Sequence, residues 1–145
     1  MIWVSNLWKL PDALGLAQPS RLVSLLAPET KFDRPSSISA DCHLDLRFHD
    51  IREERSDRVA PTCEHMQAFV DFVHAWDTSG SILIHCAHGQ SRSTAAAFIA
   101  LAMLNPGREG EAALLIRDRA KHARPNPLMV HLADEVLAAV KELGQ

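Results

Sequence analysis

The sequence predicts a single α/β domain over residues 1–145, a sandwich whose central, mostly parallel sheet is flanked by helices on both faces. Short runs typical of strands are interleaved with stretches of helical three-and-four apolar spacing. The 145 residues are 47% hydrophobic and 23% charged, which suits one globular domain with a continuous core. No repeat, linker or low-complexity tract interrupts the chain.

Four strands are expected. Residues 2–4 and 21–26 are short runs rich in large aliphatic residues, and residues 43–48 alternate apolar and polar side chains. Residues 81–85 are almost continuously apolar, which favours the middle of a sheet that is covered on both faces.

Five helices are expected between and after these strands. The alanine-rich stretch that begins at Ser91 or Arg92 is apolar nearly all round and is therefore expected to be buried. Pro61-Thr62 opens another helix, which stops at residues 78–80. The remaining helices are predicted over residues 11–18, 109–122 and 127–143. Residues 31–39 and the charged residues 49–60 are expected to be loops.

Charge and cysteine content limit the partners and the location. The chain has 15 basic and 18 acidic residues, a formal charge of −3, so no general positive field would attract nucleic acid or a membrane surface. The sequence has no long apolar run and no leader pattern, and its three cysteines are irregularly spaced. We therefore expect a cytoplasmic protein without a disulfide framework, in which any anion site is local.

Residues 82–93 carry the strongest chemical signal. An apolar strand delivers Cys86 to a short loop, and the loop leads into the start of a helix. Backbone N–H groups and the positive helix end make such a loop an anion site, and the same field stabilises a thiolate. The predicted phosphate-binding residues are Ala87, His88, Gly89, Gln90, Ser91 and Arg92.

The side chains around this loop suggest individual roles. Cys86 is the predicted nucleophile, and Arg92, six positions later, would grip the bound anion with two parallel hydrogen bonds. Ser93 can donate a hydrogen bond to the sulfur, and Gly89 lets the backbone approach the ligand closely. His85 is expected to support the loop by hydrogen bonds to backbone carbonyls.

The motif His85-Cys86-x-x-Gly89-x-Ser91-Arg92-Ser93 resembles the signature loop of the protein-tyrosine-phosphatase superfamily, especially its dual-specificity branch. The segment Ala123-Arg124-Pro125-Asn126 resembles the Pro-Asn motif before the last helix of dual-specificity enzymes, which gives Asn126 a supporting role. Residues 43–51 and 93–97 together look most like a bacterial group of small predicted tyrosine phosphatases.

This resemblance implies a phosphotyrosine protein phosphatase-like fold and hydrolysis of phosphomonoesters through a phosphocysteine. The implied substrate is phosphotyrosine in proteins, with phosphoserine, phosphothreonine or a small phosphomonoester as further options. Phosphate, sulfate or a similar oxyanion would occupy the loop, and neither a cofactor nor a metal is implied.

In this superfamily an aspartate on a movable loop donates the proton to the leaving oxygen. Of Asp45, Asp50 and Asp57, we select Asp50, which opens the long polar loop and lies 36 residues before Cys86. Asp45 lies inside a strand and is expected to be structural, whereas Asp57 remains the alternative. The Trp-Pro-Asp triplet frequent in relatives is absent, since Phe48 and His49 precede Asp50.

Other interpretations stay open. The protein could be a phosphoinositide or metabolite phosphatase, although Ala87, His88 and Gln90 offer no lysine for extra phosphates, or a phosphate-binding module without turnover. A sulfurtransferase or an inert buried thiol fits the loop less well, and no cluster has zinc-like spacing. The cationic residues in 52–58 and 117–124 would either meet the substrate or only solvate the surface. Cys42 and Cys63 are expected to fill the core rather than form a protective disulfide with Cys86.

Overall fold

A computed structural model describes residues 1–142. Its strands are β1 Ile2–Asn6, β2 Arg21–Leu26, β3 His43–Arg47 and β4 Ile82–Cys86. Its helices are α1 Leu10–Ala17, α2 Cys63–Ala75, α3 Arg92–Leu104, α4 Glu109–Arg119 and α5 Pro127–Glu142, and a 3-10 turn over Ala40–Cys42 leads into β3. The predicted end of the last helix, at Leu143, lies outside the described residues.

The strands form one sheet in the order β1-β4-β2-β3, and every neighbouring pair is parallel. All five residues of β4 are buried, as expected for its apolar run. β1 is two residues longer than predicted because it pairs with β4 along its whole length, Asn6 lying opposite Cys86. Because all strands run the same way, their carboxyl ends meet at one edge of the sheet.

Helices cover both faces of the sheet, which confirms the predicted fold class. Leu22 and Leu83 face α1, where they form a small cluster with Leu10 and Ile38. The alternate strand positions, such as Ile84, belong to the larger core that contains residues of α2, α3 and α5. Within residues 1–142, no helix is both long and apolar enough to cross a membrane.

The helix starts follow local sequence signals. Thr62 caps α2, because its hydroxyl accepts a hydrogen bond from His65 N (3.1 Å) and its own N–H donates to His65 Nδ1 (3.1 Å). The alanine-rich α3 is buried as predicted. α4 ends at Arg119 rather than at residue 122, because the chain then turns toward the sheet edge, where Arg124 N donates to Gln90 O (2.7 Å).

Candidate active site

The loop between β4 and α3 folds around the sulfur of Cys86. This side chain is only 2% exposed, and Gly89 N–H donates to Sγ (3.2 Å). Ser93 Oγ lies 3.1 Å from the same sulfur. Gly89 has a φ of +72°, and a Cβ there would meet Asn6 N at 3.1 Å, so both conformation and space call for glycine. The sulfur therefore lies between a backbone N–H and a serine hydroxyl, close to the start of a helix.

Arg92, the first residue of α3, is 6% exposed and anchored at one end. Its Nη1 donates to Phe48 O (2.8 Å), which directly follows β3. Its Nε is buried and has no hydrogen-bond partner among the described residues. A buried guanidinium donor without an acceptor is costly, so the arrangement suits an anion that would supply the acceptor.

Asp50 is held by two side chains that lie far away in sequence. Its Oδ1 accepts hydrogen bonds from Ser91 Oγ (2.7 Å) and from Asn126 Nδ2 (2.7 Å). Asn126 is only 1% exposed, and its Nδ2 also donates to Ile51 O (3.1 Å). With Oδ1 engaged, Oδ2 is the oxygen of Asp50 that is available to a ligand.

A pocket of about 190 Å³ opens between these elements. It is lined by Asp50, Arg52, Cys86, His88, Gln90, Ser91, Arg92 and Arg124. Six of these were predicted site residues. Of the other predicted ones, Gly89 and Ser93 contact the sulfur, and Ala87 O accepts from Leu7 N (3.1 Å) and ties the loop to the end of β1.

Arg52 and Arg124 are the lining residues that were not assigned to the site from the sequence. Both are close in sequence to predicted site residues: Arg52 is two positions after Asp50, and Arg124 is two positions before Asn126. That proximity was the available signal. Each arginine also belongs to a charged stretch, which is typical of a solvated surface, so the sequence alone assigns neither of them to the site.

His85 is fully buried behind the loop. Its Nε2 hydrogen-bonds to Ser24 Oγ (2.7 Å), which also contacts His43 Nε2 (2.8 Å), so its Nε2 partner is a hydroxyl rather than the expected carbonyl. Burial lowers the pKa of His85 to about 4, which keeps the imidazole neutral near pH 7. A serine on the neighbouring strand could not be linked to His85 from sequence.

The competing aspartates and the other cysteines lie outside the pocket lining. Asp57 pairs with Arg55 (3.4 Å), and Asp45 pairs with Arg47 (2.7 Å). Cys42 packs against the core near α1, as expected. Cys63 does not fill the core: it is exposed at the start of α2, where its Sγ lies 3.6 Å from a carboxylate oxygen of Glu135.

No protein-family model matches the chain, and no curated protein sequence matches it either. Solved structures, by contrast, do match this chain. DUSP15 superposes with a TM-score of 0.74 at 20% identity, over 98% of this chain and 86% of that one.

Two further neighbours have the same architecture. The Yvh1 phosphatase domain from Chaetomium thermophilum has a TM-score of 0.70 at 18% identity, over 95% of this chain and 90% of that one. PTPMT1, solved in complex with PI(5)P, has a TM-score of 0.69 at 14% identity, over 100% of this chain and 95% of that one. The chain therefore has the fold of the dual-specificity and tyrosine phosphatases.

Proposed function

We propose that the protein is a cysteine-dependent phosphatase that hydrolyses phosphotyrosine, and also phosphoserine or phosphothreonine, in proteins through a phosphocysteine intermediate. The observation that carries the proposal is the local environment of the Cys86 sulfur. Gly89 N–H and the Ser93 hydroxyl lie 3.2 and 3.1 Å from its sulfur, and Arg92 lines the same pocket.

These groups favour a thiolate nucleophile. The N-terminus of α3 carries a partial positive charge, and Gly89 N–H adds a hydrogen-bond donor to the sulfur. When Cys86 is ionised, the Ser93 hydroxyl donates its hydrogen bond to the sulfur. The same bond stabilises the thiolate when it leaves in the second step.

In the first step, the amides of the loop and the Arg92 guanidinium hold the phosphate oxygens. The Cys86 thiolate attacks phosphorus, and an S–P bond forms while the bond to the leaving oxygen breaks. Asp50 transfers the proton from Oδ2 to that oxygen, so the product leaves as a neutral hydroxyl. Arg92 and the amides stabilise the charge on the transferring group.

In the second step, Asp50 acts as a base. It takes a proton from a water molecule, whose oxygen attacks phosphorus as the S–P bond breaks. Inorganic phosphate forms and Cys86 returns to the thiolate. Because the thiolate is required in each cycle, the protein needs a reducing environment, which agrees with the cytoplasmic location that we propose from its cysteine content.

The nucleophile is tested with Cys86→Ser and p-nitrophenyl phosphate. We expect turnover to fall to the background, because a serine hydroxyl at this position is not ionised. Cys63→Ser is the matched control, since Cys63 is an exposed thiol outside the pocket. Turnover by Cys86→Ser at the wild-type rate would refute the mechanism.

The acid is tested with Asp50→Asn against Asp57→Asn. General acid catalysis contributes about 10²- to 10⁴-fold, so Asp50→Asn should lower kcat by that factor. Asp57 is paired with Arg55 on the same loop and provides the control. The assignment of Asp50 fails if Asp57→Asn is the variant with the larger loss.

A phosphoinositide or metabolite phosphatase is the second candidate. It is favoured by one finding, the likeness to PTPMT1, which was solved with PI(5)P. Ala87, His88 and Gln90 provide no lysine for additional phosphates. A panel of phosphopeptides, phosphoinositides and nucleotides separates these substrates, and phosphate binding without hydrolysis of any of them would instead indicate a binding module.

A further inference from the structure

Two arginines that line the pocket have no side-chain partner among residues 1–142. Arg52 and Arg124 line the same pocket as Cys86, and both are exposed. Within the described residues, neither side chain makes an ion pair or a hydrogen bond. Other arginines do have acidic partners, among them Arg47, Arg55 and Arg108, which pair with Asp45, Asp57 and Glu111.

The pocket therefore has more cations than one phosphate requires. Arg92 and the loop amides already serve the transferring phosphate in the proposed mechanism. Arg52 and Arg124 add two charges beside it, and the acidic side chain among the lining residues is Asp50. In a chain with a formal charge of −3, this local excess focuses positive potential on the pocket.

The same hydrogen bonds that assemble the site also place the two arginines. Arg124 N donates to Gln90 O (2.7 Å), which fixes its backbone to the loop. Asn126 Nδ2 donates to Ile51 O (3.1 Å), the carbonyl of the residue before Arg52. The backbone at or next to each arginine is thus hydrogen-bonded to residues of the site, although the two arginines belong to segments far apart in sequence.

We propose that Arg52 and Arg124 form a second anion subsite, which selects phosphopeptides with an acidic residue beside the phosphorylated one. The inference rests on the proposed phosphatase activity. The lining residues include no large apolar side chain that would contact an acyl chain or a membrane. A polar, acidic peptide therefore suits this opening better than a lipid.

The test compares two phosphotyrosyl peptides that differ only in their flanking residues, glutamate in one and glutamine in the other. Exposed ion pairs each contribute at most a few-fold, so we expect wild type to prefer the acidic peptide by about tenfold in kcat/KM at low salt. Arg52→Gln and Arg124→Gln should each reduce this ratio to about threefold, and the double variant to about one.

Arg55→Gln is the control, because it removes the same charge from the same loop but Arg55 does not line the pocket. Its ratio should stay at the wild-type value. The preference of wild type should also shrink with salt, since the screening length is about 10 Å at 0.1 M. All substituted arginines are exposed, and equal melting temperatures would verify that the variants fold.

Two further measurements separate this inference from the proposed function. Turnover of p-nitrophenyl phosphate by wild type tests the phosphatase activity alone. Titration of both peptides into Cys86→Ser measures the subsite by affinity, even if no substrate is hydrolysed. Equal affinities and equal kcat/KM for both peptides, or a preference that survives in the double variant, would overturn the subsite. Faster hydrolysis of phosphoinositide vesicles than of the acidic peptide would overturn the choice of a peptide.

Discussion

Asn126 connects the stability of the last helix to the position of Asp50. It directly precedes α5, and its Oδ1 accepts a hydrogen bond from Met129 N (3.0 Å), so it caps the helix, with Pro127 as the first helical residue. Its Nδ2 donates to Asp50 Oδ1 (2.7 Å). Replacement of this one side chain should therefore affect both folding and catalysis.

The two effects can be separated with two substitutions. Asn126→Ala removes the cap and the donor, and loss of a cap costs about 0.5–2 kcal/mol. The lost bond to Ile51 O adds about 0.5–1.5 kcal/mol, so these two losses alone should lower the free energy of unfolding by about 1–3.5 kcal/mol. Asn126→Ser keeps an effective cap but has no amide to hold Asp50, so it should be the more stable of the two variants.

Both variants should lose activity. Asp50 keeps the hydrogen bond from Ser91 but loses the one from Asn126, and a bond to a charged group contributes about 1.5–3 kcal/mol. We expect kcat to fall by about tenfold or more, and the loss to be greater for phenyl phosphate than for p-nitrophenyl phosphate. The poorer leaving group depends more on the proton from Asp50.

The assays are urea unfolding at pH 7 and steady-state kinetics on both aryl phosphates. A purely structural role would reduce activity on the two substrates equally and in proportion to the loss of folded protein. Equal losses on both substrates, in a sample that is fully folded, would refute the positioning of Asp50 by Asn126.

Three other predictions concern the loop and its support. Ser93→Ala removes the hydroxyl 3.1 Å from Cys86 Sγ, so kcat should fall by about tenfold with KM little changed, and burst kinetics should show the phosphocysteine accumulating. Gly89→Ala places a residue with a side chain in the left-handed conformation (φ +72°) and brings its Cβ against Asn6 N. The free energy of unfolding, measured in urea, should fall by at least about 1–2 kcal/mol. Stability equal to that of wild type would contradict this close contact. Burial lowers the pKa of His85 from 6.5 to about 4, so between pH 6.5 and pH 4 this side chain is protonated in the unfolded chain but neutral in the folded one. The free energy of unfolding should therefore fall by up to about 3 kcal/mol as the pH drops from 6.5 to 4. His85→Gln should flatten this dependence in urea titrations, and an unchanged slope would contradict the assignment.

The local parts of the fold could be predicted closely. β2 and the start and end of α3 agree with the sequence pattern, because periodicity and the Asn105-Pro106-Gly107 stop are properties of neighbouring residues. The predicted bounds of an element are wrong where contact with a distant segment determines its length. β1 continues through polar Ser5 and Asn6 because β4 pairs with it, and no local signal marks that pairing.

The candidate site shows the same division. The loop from Cys86 to Ser93 is contiguous, so its strand, turn and helix start can be recognised together, and the structure folds it around the sulfur. The partners of Asp50 could not be identified in this way. Ser91 is 41 residues from Asp50 and Asn126 is 76 residues away, and only the folded chain brings the three side chains together.

This long-range contact has a physical consequence for activity. The nucleophile loop lies between adjacent elements, β4 and α3, whereas Asp50 receives its second hydrogen bond, from Asn126, only when the amino end of α5 has reached the loop after β3. The same approach brings Arg124 to Gln90 O and so to the pocket. A change that weakens the docking of α5 should therefore impair the positions of Asp50 and Arg124 together, whereas the hydrogen bonds of Cys86 Sγ with Gly89 and Ser93 lie within the loop and the first turn of α3.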